Sequence, residues 1–278
     1  MQKLWNIDLE QYGNVEWRFR DNGELKYSLR SLETYFPEHW NIFIVTDNQV
    51  PDFLKLDDRI KIIYHSDFMN LESLPTFSSK NIVSQIPNIP EISEKFLICN
   101  DDVFFGPNFR ITDFFSQKIL VYFIPFLESQ VQSNLVSWRS GEEVLKERFH
   151  DYIPMDSYAT HTPKAVIKQD YFEMCSEFPQ ILKEVSYEKF RNMKNPWMVG
   201  DLYSRWMLYK KRAVLGTKED FYIQSSRPKY KKLIDNFQHI PFFCINDTGD
   251  NIAQSDTSLR KISQVLESLF PEKSSFEK

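Results

Sequence analysis

The stretch from Lys95 to Gly106 constrains the fold most strongly, because an apolar run in it stops at one amide and two carboxylates. Its sequence, KFLICNDDVFFG, predicts a buried strand at 96–99 that is followed directly by Asn100, Asp101 and Asp102. In open α/β sheets, ligands bind outside the carboxyl ends of the strands. Carboxylates there suit Mg²⁺ or Mn²⁺ that bridges to a phosphorylated substrate. The alternative is that Asn100 and Asp101 only form a turn.

The composition narrows how such a substrate could be held. The chain of 278 residues has 7 glycines, and no glycine-rich phosphate loop is present. Any phosphate must therefore be bound by a metal ion and by cationic side chains. The net charge of −5 argues against general nucleic-acid binding, which requires a basic surface. The length suffices for one large α/β domain or two smaller ones.

The cysteines and the N-terminus predict where the protein acts. Cys99, Cys175 and Cys244 are odd in number and widely spaced, which disfavours a disulfide framework and a zinc site and favours a reducing compartment. The N-terminus has no signal-peptide pattern, and no run of 18 apolar residues occurs. We expect a cytoplasmic protein without a transmembrane segment, which a lipid-linked substrate could bring to the inner face of the membrane.

Hydrophobic periodicity predicts the alternating helices and strands of an α/β fold. A stripe of Leu25, Leu29, Leu32 and Phe36 predicts a helix that begins after Asp21 or Asn22 and ends before a proline. Apolar runs predict further strands at 41–46, 59–64, 119–126 and 242–245. The last of these again ends in Asn246 and Asp247, which repeats the pattern of the opening stretch.

The region 128–212 is predicted to be mostly helical. Helices are expected at 141–150, at 170–185 with a break at Pro179, and at 201–212. His161 precedes Pro163 in a turn, and a lone histidine in such a place is usually structural. Residues 271–278 form a polar tail that we expect to fray.

Together these motifs resemble the Stealth family of sugar-phosphate transferases. The segments RFRDNGELKYSLRSLE, NIFIVTDNQVPDFL, HSDF, LPTFSS and FLICNDDVFFG follow the order of the family's second block over 18–115. THTPKAV from Thr160 resembles the third block, and FFCIND from Phe242 resembles the fourth. The resemblance implies a single catalytic domain over 1–278 with a Rossmann-like, GT-A-like sheet that binds a nucleotide sugar.

The resemblance also implies a reaction. A hexose-1-phosphate, such as N-acetylhexosamine-1-phosphate, moves from a UDP-sugar to a hydroxyl of a glycan acceptor, lipid-linked or free, and UMP is released. The setting is the synthesis of capsular polysaccharide or exopolysaccharide in bacteria. The bond that breaks is a phosphoanhydride, so positioning and charge neutralisation dominate the catalysis.

Individual roles follow from the resemblance. His161 is the candidate general base for the acceptor hydroxyl, with an ordinary pKa near 6.5. Arg191 would neutralise charge on the transferred phosphate, and Asp102 would act with the metal ion. The expected ligands of Mg²⁺ or Mn²⁺ are Asp101, Asp102 and Asp247. The expected donor-binding residues are Arg20, Asp21, Asn22, Asn100 and Asn246.

The sequence departs from the family pattern in two places. Members usually begin with a block of the type DVVYTWVDG, and before Arg18 either WNIDL at 5–9 is a divergent remnant of this block or the block is absent. After LPTFSS, the pattern AIESHLHRI becomes NIVSQIPNI, so that Val83, Gln85 and Pro87 replace a glutamate and two histidines. Two alternatives therefore stay open: a metal-dependent glycosyltransferase that releases UDP, and a non-catalytic partner subunit that binds a nucleotide sugar.

Overall fold

A computed structural model describes residues 20–37, 41–125, 135–155, 157–192, 194–217, 221–225, 229–247 and 252–278. The strands are β1 (Ile42–Thr46), β2 (Ile60–Tyr64), β3 (Lys95–Ile98), β4 (Val103–Phe105), β5 (Ile119–Val121), β6 (Phe123–Pro125), β7 (Ser157–Ala159), β8 (Lys164–Ile167), β9 (Ala213–Leu215), β10 (Phe221–Gln224) and β11 (Phe242–Asn246). The α-helices are α1 (Glu24–Tyr35), α2 (His65–Phe68), α3 (Ser79–Gln85), α4 (Leu135–Arg148), α5 (Lys168–Glu177), α6 (Pro179–Ser186), α7 (Ser204–Tyr209), α8 (Tyr230–Asn236) and α9 (Ile252–Leu269).

The chain divides into two compact units. Unit 1 comprises Met1–Ile63, Cys99–Arg110 and Glu219–Lys278, and unit 2 comprises Tyr64–Ile98 and Ile111–Lys218. The architecture is mixed α/β with several small sheets, as expected for the class. The finer Rossmann-like, GT-A-like arrangement and the assignment of 1–278 to one catalytic domain stay predictions. Within the described ranges, no helix has the length and apolarity needed to cross a membrane.

Unit 1 contains a three-stranded sheet in the order β10-β11-β4, in which β10 and β11 are parallel and β4 is antiparallel to β11. The side chains at 103–105 and 242–245 are apolar and buried, and the ring centroids of Phe104 and Phe243 are 5.0 Å apart in a stacked arrangement. Because β4 runs opposite to its neighbours, its first residue lies at the same edge as the last residues of β10 and β11. This edge therefore carries Asp102, Ser225, Asn246 and Asp247.

Helix α1 is held against β4 by hydroxyl groups. Ser28 Oγ donates a hydrogen bond to the Val103 carbonyl oxygen at 2.8 Å, and Ser31 Oγ accepts one from the Phe105 amide at 3.0 Å. The predicted helix is confirmed, although its N-cap is Gly23 and no side chain caps it. Its first turn thereby lies beside the polar edge of the sheet.

The C-terminal tail packs on unit 1, whereas the sequence predicts fraying over 271–278. Phe276 is buried in a cluster with Leu29, Leu54 and Ile60. Arg30 and Glu277 form an ion pair at 2.7 Å, and both side chains are 5% exposed. The buried Phe276 ring and the Arg30–Glu277 ion pair, with backbone hydrogen bonds to Phe53 and Lys55, thus hold a segment whose composition is polar.

The described part of unit 2 contains three two-stranded sheets: β3 with β8 and β6 with β7, both antiparallel, and β5 with β9, which are parallel. The single strand predicted at 119–126 is divided at Tyr122, whose hydroxyl donates to the Asp113 carbonyl oxygen. The break at Pro179 is confirmed between α5 and α6. The helix predicted at 201–212 begins earlier, as a π-helical turn over Met198–Tyr203 that leads into α7.

Candidate functional site

The loop between β3 and β4 carries the acidic pair that opened the sequence analysis. The Val103 amide donates to the Asn100 carbonyl oxygen at 3.3 Å, so the loop is a turn, as the alternative interpretation predicted. The Ile245 amide donates to the Asp102 carbonyl oxygen at 3.1 Å and ties the turn to β11. These bonds use backbone atoms only. The carboxylates of Asp101 and Asp102 are therefore left for other contacts.

The Asp102 carboxylate has one bonded and one unbonded oxygen. Its Oδ2 accepts a hydrogen bond from the Cys244 thiol at 3.3 Å. Its Oδ1 is buried, and none of the residues described here donates a hydrogen bond to it. Burial and the negative charges of Asp101 and Glu24 raise the pKa of Asp102 to about 7. The atom is in a place that suits a cation.

Negative charge accumulates around this carboxylate. Partial desolvation and the charge of Asp21 raise the pKa of Asp101, although the Asp101 side chain is still accessible to solvent. Burial and the charge of Asp101 likewise raise the pKa of Glu24, against hydrogen bonds from Asn22 that lower it. Hard oxygen ligands with surplus negative charge are what Mg²⁺ and Mn²⁺ bind in proteins. The residues present therefore fit such an ion.

The segment before α1 is a rigid turn. The Asn22 backbone and side-chain amides donate to Glu24 at 2.7 and 2.5 Å, and Asp21 Oδ1 accepts from the Gly23 amide at 2.7 Å. Gly23 has a φ of 80°, a conformation that favours glycine. The sequence predicted Asp21 or Asn22 as the helix cap. Instead, both residues shape the turn that holds Glu24 near the acidic pair.

Arg20 and Asp247 form a two-point ion pair. Arg20 Nη2 donates to Asp247 Oδ1 at 3.2 Å, and Nε lies 3.0 Å from Oδ2. Ser225 Oγ also donates to Oδ1, at 2.9 Å, and the Ser225 amide donates to the Asn246 carbonyl oxygen. Asp247 thus holds the Arg20 guanidinium at the sheet edge. Its role as a metal ligand stays a prediction.

In unit 2, His161 lies in a braced turn between β7 and β8. The hydroxyls of Thr160 and Thr162 are 2.9 Å apart, and both residues are buried. Lys164 Nζ donates to Thr162 Oγ1 at 3.1 Å and to the Thr160 carbonyl oxygen. The turn therefore fixes a cationic side chain close to the imidazole.

The pKa of His161 departs from its ordinary value. Desolvation, followed by the positive charges of Lys164 and Arg191, lowers it to about 4, although the imidazole itself is accessible to solvent. The sequence predicted an ordinary pKa near 6.5. At neutral pH the ring is consequently unprotonated and can accept a proton.

Arg191 lies on a loop that buried polar bonds hold in place. Its Nη2 donates to Ser79 Oγ at 2.8 Å, and its guanidinium lies 5.3 Å from the centre of the Trp197 ring. The buried Glu188 carboxylate accepts hydrogen bonds from Ser78 Oγ and Asn195 Nδ2, both at 2.6 Å. The loop therefore presents a cation, supported by an aromatic ring, to the region of His161.

Comparison with known proteins shows the family to which this chain belongs. Sequence models for Stealth protein CR2, conserved region 2, and Stealth protein CR4, conserved region 4, match residues 18–122 and 235–278. The chain belongs to the Stealth family. The matched regions contain the acidic loop, the turn before α1 and the end of β11. His161 and Arg191 lie outside both regions, so their assignment to the third Stealth block stays a prediction.

Several curated relatives are similar over nearly the whole chain. The capsular polysaccharide phosphotransferase SacB of Neisseria meningitidis serogroup A is 29% identical over 100% of this chain and 54% of its own length. The exopolysaccharide phosphotransferase CpsY of Mycobacterium leprae is 31% identical over 95% of this chain and 51% of its own. The human N-acetylglucosamine-1-phosphotransferase subunits alpha/beta are 52% identical over 36% of this chain and 8% of their own length. This Stealth chain thus spans about half the length of the bacterial relatives named here.

Sequence reasoning missed two members of the acidic site. Glu24 was assigned to the predicted helix, and its separation from Asp101 along the chain concealed their interaction. Cys244 was counted only as a free cysteine, although it lies two residues before Asn246 at the end of β11. The alternation of side chains along a strand was the one signal for Cys244, because it places residues 244 and 246 on the same face.

Proposed function

We propose that this chain carries the catalytic region of a sugar-1-phosphate transferase of bacterial polysaccharide synthesis. The donor is a UDP-sugar, the acceptor is a hydroxyl of a lipid-linked or free glycan on the cytoplasmic side of the membrane, and the products are a phosphodiester and UMP. The observation that carries the proposal is the buried, unbonded Oδ1 of Asp102 among surrounding carboxylates. The relatives that are named phosphotransferases support the same chemistry.

On the donor side, Asp101 and Asp102 would hold Mg²⁺ or Mn²⁺. When bound, this ion supplies neutralisation of the charge on the donor diphosphate. Arg20, held in orientation by Asp247, presents a fixed guanidinium for phosphate oxygens. Asn22 and Asn100 add amide groups at the same edge of unit 1. These residues would bind and orient the donor.

On the acceptor side, His161 would remove the proton of the attacking hydroxyl. The oxygen of the acceptor forms a bond to the phosphorus that carries the sugar, the phosphoanhydride bond to UMP breaks, and the glycosidic carbon–oxygen bond stays intact. The proton passes to the unprotonated ring nitrogen of His161, which its lowered pKa keeps available at neutral pH. Arg191 and Lys164 would neutralise phosphate charge nearby.

A nucleotide assay tests the proposal. The purified full chain is incubated with a panel of UDP-hexoses, Mg²⁺ or Mn²⁺ and a glycan acceptor, and UMP and UDP are separated by chromatography. We expect UMP that depends on both acceptor and metal, with no UMP in EDTA. The sugar and the phosphorus should be found together in the glycan product.

The other outcomes would redirect the assignment. UDP in place of UMP would indicate a glycosyltransferase that breaks the bond at the sugar carbon. Binding of a UDP-sugar without release of any nucleotide would indicate a non-catalytic partner subunit. Either result would contradict phosphate transfer, and the two are distinguished by the same chromatogram together with a binding titration.

A further inference from the structure

A basic cleft in unit 2 lies apart from the residues discussed so far. It encloses about 310 Å³ and is lined by the turn at 115–119 and by Ile167, together with charged side chains. Those charged residues are Lys95, Lys118, Asp170, Lys211 and Arg212. Ile167 is the last residue of β8, whereas His161 precedes the first. The cleft and His161 are therefore at opposite ends of this strand.

Three consecutive basic residues after α7 behave differently from one another. Lys210 Nζ is paired with Glu177 at 2.8 Å. Arg212 is paired with Asp170 at 2.7 Å and with Glu173 at 2.6 Å, so its charge is balanced. Lys211 lies between them and lines the cleft without a carboxylate partner among the described residues.

The cleft consequently has unbalanced positive charge. Like Lys211, the side chains of Lys95 and Lys118 form no ion pair with any residue that the structure describes. The one carboxylate in the lining, Asp170, is already bonded to Arg212. Three lysines that line one concave surface create a local positive potential, which favours a multiply charged anion. Each ammonium group also offers three hydrogen-bond donors.

The backbone at Lys211 adds an independent observation. Lys211 has a φ of 59°, in the left-handed region. Its amide donates to the Leu208 carbonyl oxygen at 2.9 Å, and the Arg212 amide donates to that of Met207 at 2.8 Å. This pattern ends a helix and favours glycine at the position of Lys211, since a side chain there is strained. The chain nevertheless has a lysine at this point, and this lysine is one of the residues that line the cleft.

We propose that this cleft is a binding site for a phosphate-bearing anion. Lys95, Lys118 and Lys211 supply the charge, and Arg212 is held in place by Asp170 and Glu173. The phosphate can come from a free nucleotide or from the phosphodiester of a glycan, and the chemistry of recognition is the same in both. The proposal does not depend on the proposed reaction.

The test measures binding of inorganic pyrophosphate to the full chain by calorimetry, in EDTA so that no divalent metal takes part. Lys211→Gly should weaken binding about fivefold, the loss expected for one charge-assisted contact. The same variant should raise Tm by about 2–4 °C, because glycine relieves the backbone strain. Lys95→Ala combined with Lys118→Ala should weaken binding by at least about tenfold. Lys231→Ala, an exposed lysine on α8 in unit 1, is the matched control and should bind as the parent chain does.

Lys211→Gly should lower the affinity for pyrophosphate but raise Tm, and these opposite changes make the test decisive. Weaker binding together with a higher Tm supports the site, because general damage to the fold would lower both the affinity and the Tm. Equal affinity in all variants, or no binding of pyrophosphate at millimolar concentration, would overturn the proposal. Competition then distinguishes the sources. The binding to follow is the part of pyrophosphate binding that the lysine variants weaken. If UMP displaces this pyrophosphate, the cleft is a nucleotide site. If poly(glycerol phosphate) displaces it, the cleft binds a phosphodiester chain.

Discussion

Two clusters of carboxylates, one in each unit, differ in how their atoms are bonded. In unit 2, Arg205 is fully buried and bonds to Asp201 at 2.5 Å, to Glu142 at 3.0 Å and to the Ser157 carbonyl oxygen. The Gly141 amide completes Asp201 by donating to its Oδ2 at 2.9 Å, and a Cβ on that glycine would lie only 2.5 Å from this oxygen. Each of these three charged side chains therefore has bonding partners within the protein.

The carboxylates at the acidic edge of unit 1 are not bonded in this way. Asp102 Oδ1 has no donor among the described residues, and the nearby charges of Asp101 and Glu24 are of the same sign. A buried charge that is left unbalanced costs more stability than one that is paired and hydrogen-bonded. Burial of a charged group alone therefore does not indicate function. An ion network that is complete is structural, and one that lacks a positive group is a candidate for a ligand.

The largest effect should come from removing the cation of the complete network. Arg205→Met leaves two buried carboxylates unpaired and should lower the free energy of unfolding by about 3–5 kcal/mol. Chemical denaturation followed by circular dichroism measures the loss. Arg59→Met is the control, because Arg59 is half-exposed beside Asp57 and Glu33 and its pair should contribute less than about 1 kcal/mol.

The physical reason for that loss can be checked separately. Adding Glu142→Gln and Asp201→Asn to the Arg205→Met variant removes the stranded charges and should restore part of the stability. If the triple variant were as unstable as the single one, packing of the guanidinium rather than charge would explain the effect.

The incomplete site should respond in the opposite way. Asp102→Asn removes a carboxylate whose raised pKa reflects unfavourable surroundings, so the free energy of unfolding should be unchanged or higher by about 1 kcal/mol. Metal-dependent release of UMP should fall by about 10³-fold. The control is Asp52→Asn, which changes an exposed aspartate of the same unit and should alter neither quantity. Near-normal turnover in Asp102→Asn would rule out the metal role, and a clear loss of stability would make this carboxylate structural.

A smaller effect should follow from the lowered pKa of His161. At pH 7, His161→Gln should reduce kcat/KM by about 10² if the ring is the general base. Because the free-enzyme pKa is about 4, the acid limb of the kcat/KM profile should lie well below pH 6.5 in the parent chain. A limb at 6.5 that persists in the variant would assign the proton transfer to another group.

The same histidine predicts the sign of a stability change with pH. Above pH 6.5 the ring is neutral in both the folded and the unfolded chain. As the pH falls, the unfolded chain takes up the proton first, so stability is lost between about pH 6.5 and the folded-state pKa of about 4. The fall in Tm from pH 7 to pH 5 should therefore be smaller in His161→Gln than in the parent chain.

The sequence predicted local elements better than long-range contacts. Short-range patterns predicted α1, the break at Pro179 and the acidic loop after β3, because each depends on neighbouring residues. They did not reveal Arg20 against Asp247, which are 227 residues apart, or the three partners that enclose Arg205. Long-range pairs of this kind depend on how the elements pack. That packing also accounts for the ordered tail, where Phe276 is an anchor that composition alone hides.

The smallest effect is expected at Arg20. Its ion pair with Asp247 shares features with both the Arg205 network and the acidic edge of unit 1. Both side chains are mostly buried and form one hydrogen bond and one further ion-pair contact, but they lie at the edge where charge is unbalanced. Arg20→Lys keeps the charge and loses the two-point geometry, so KM for the UDP-sugar should rise about three- to tenfold with little change in kcat. Asp247→Asn should have the same effect, and the double variant should be no worse than either single one, since both changes break one contact. Initial rates over a range of UDP-sugar and Mg²⁺ concentrations measure these changes in KM and kcat.

Should Asp247→Asn instead lower kcat as Asp102→Asn does, while Arg20→Lys does not, Asp247 would be a metal ligand rather than the residue that orients Arg20.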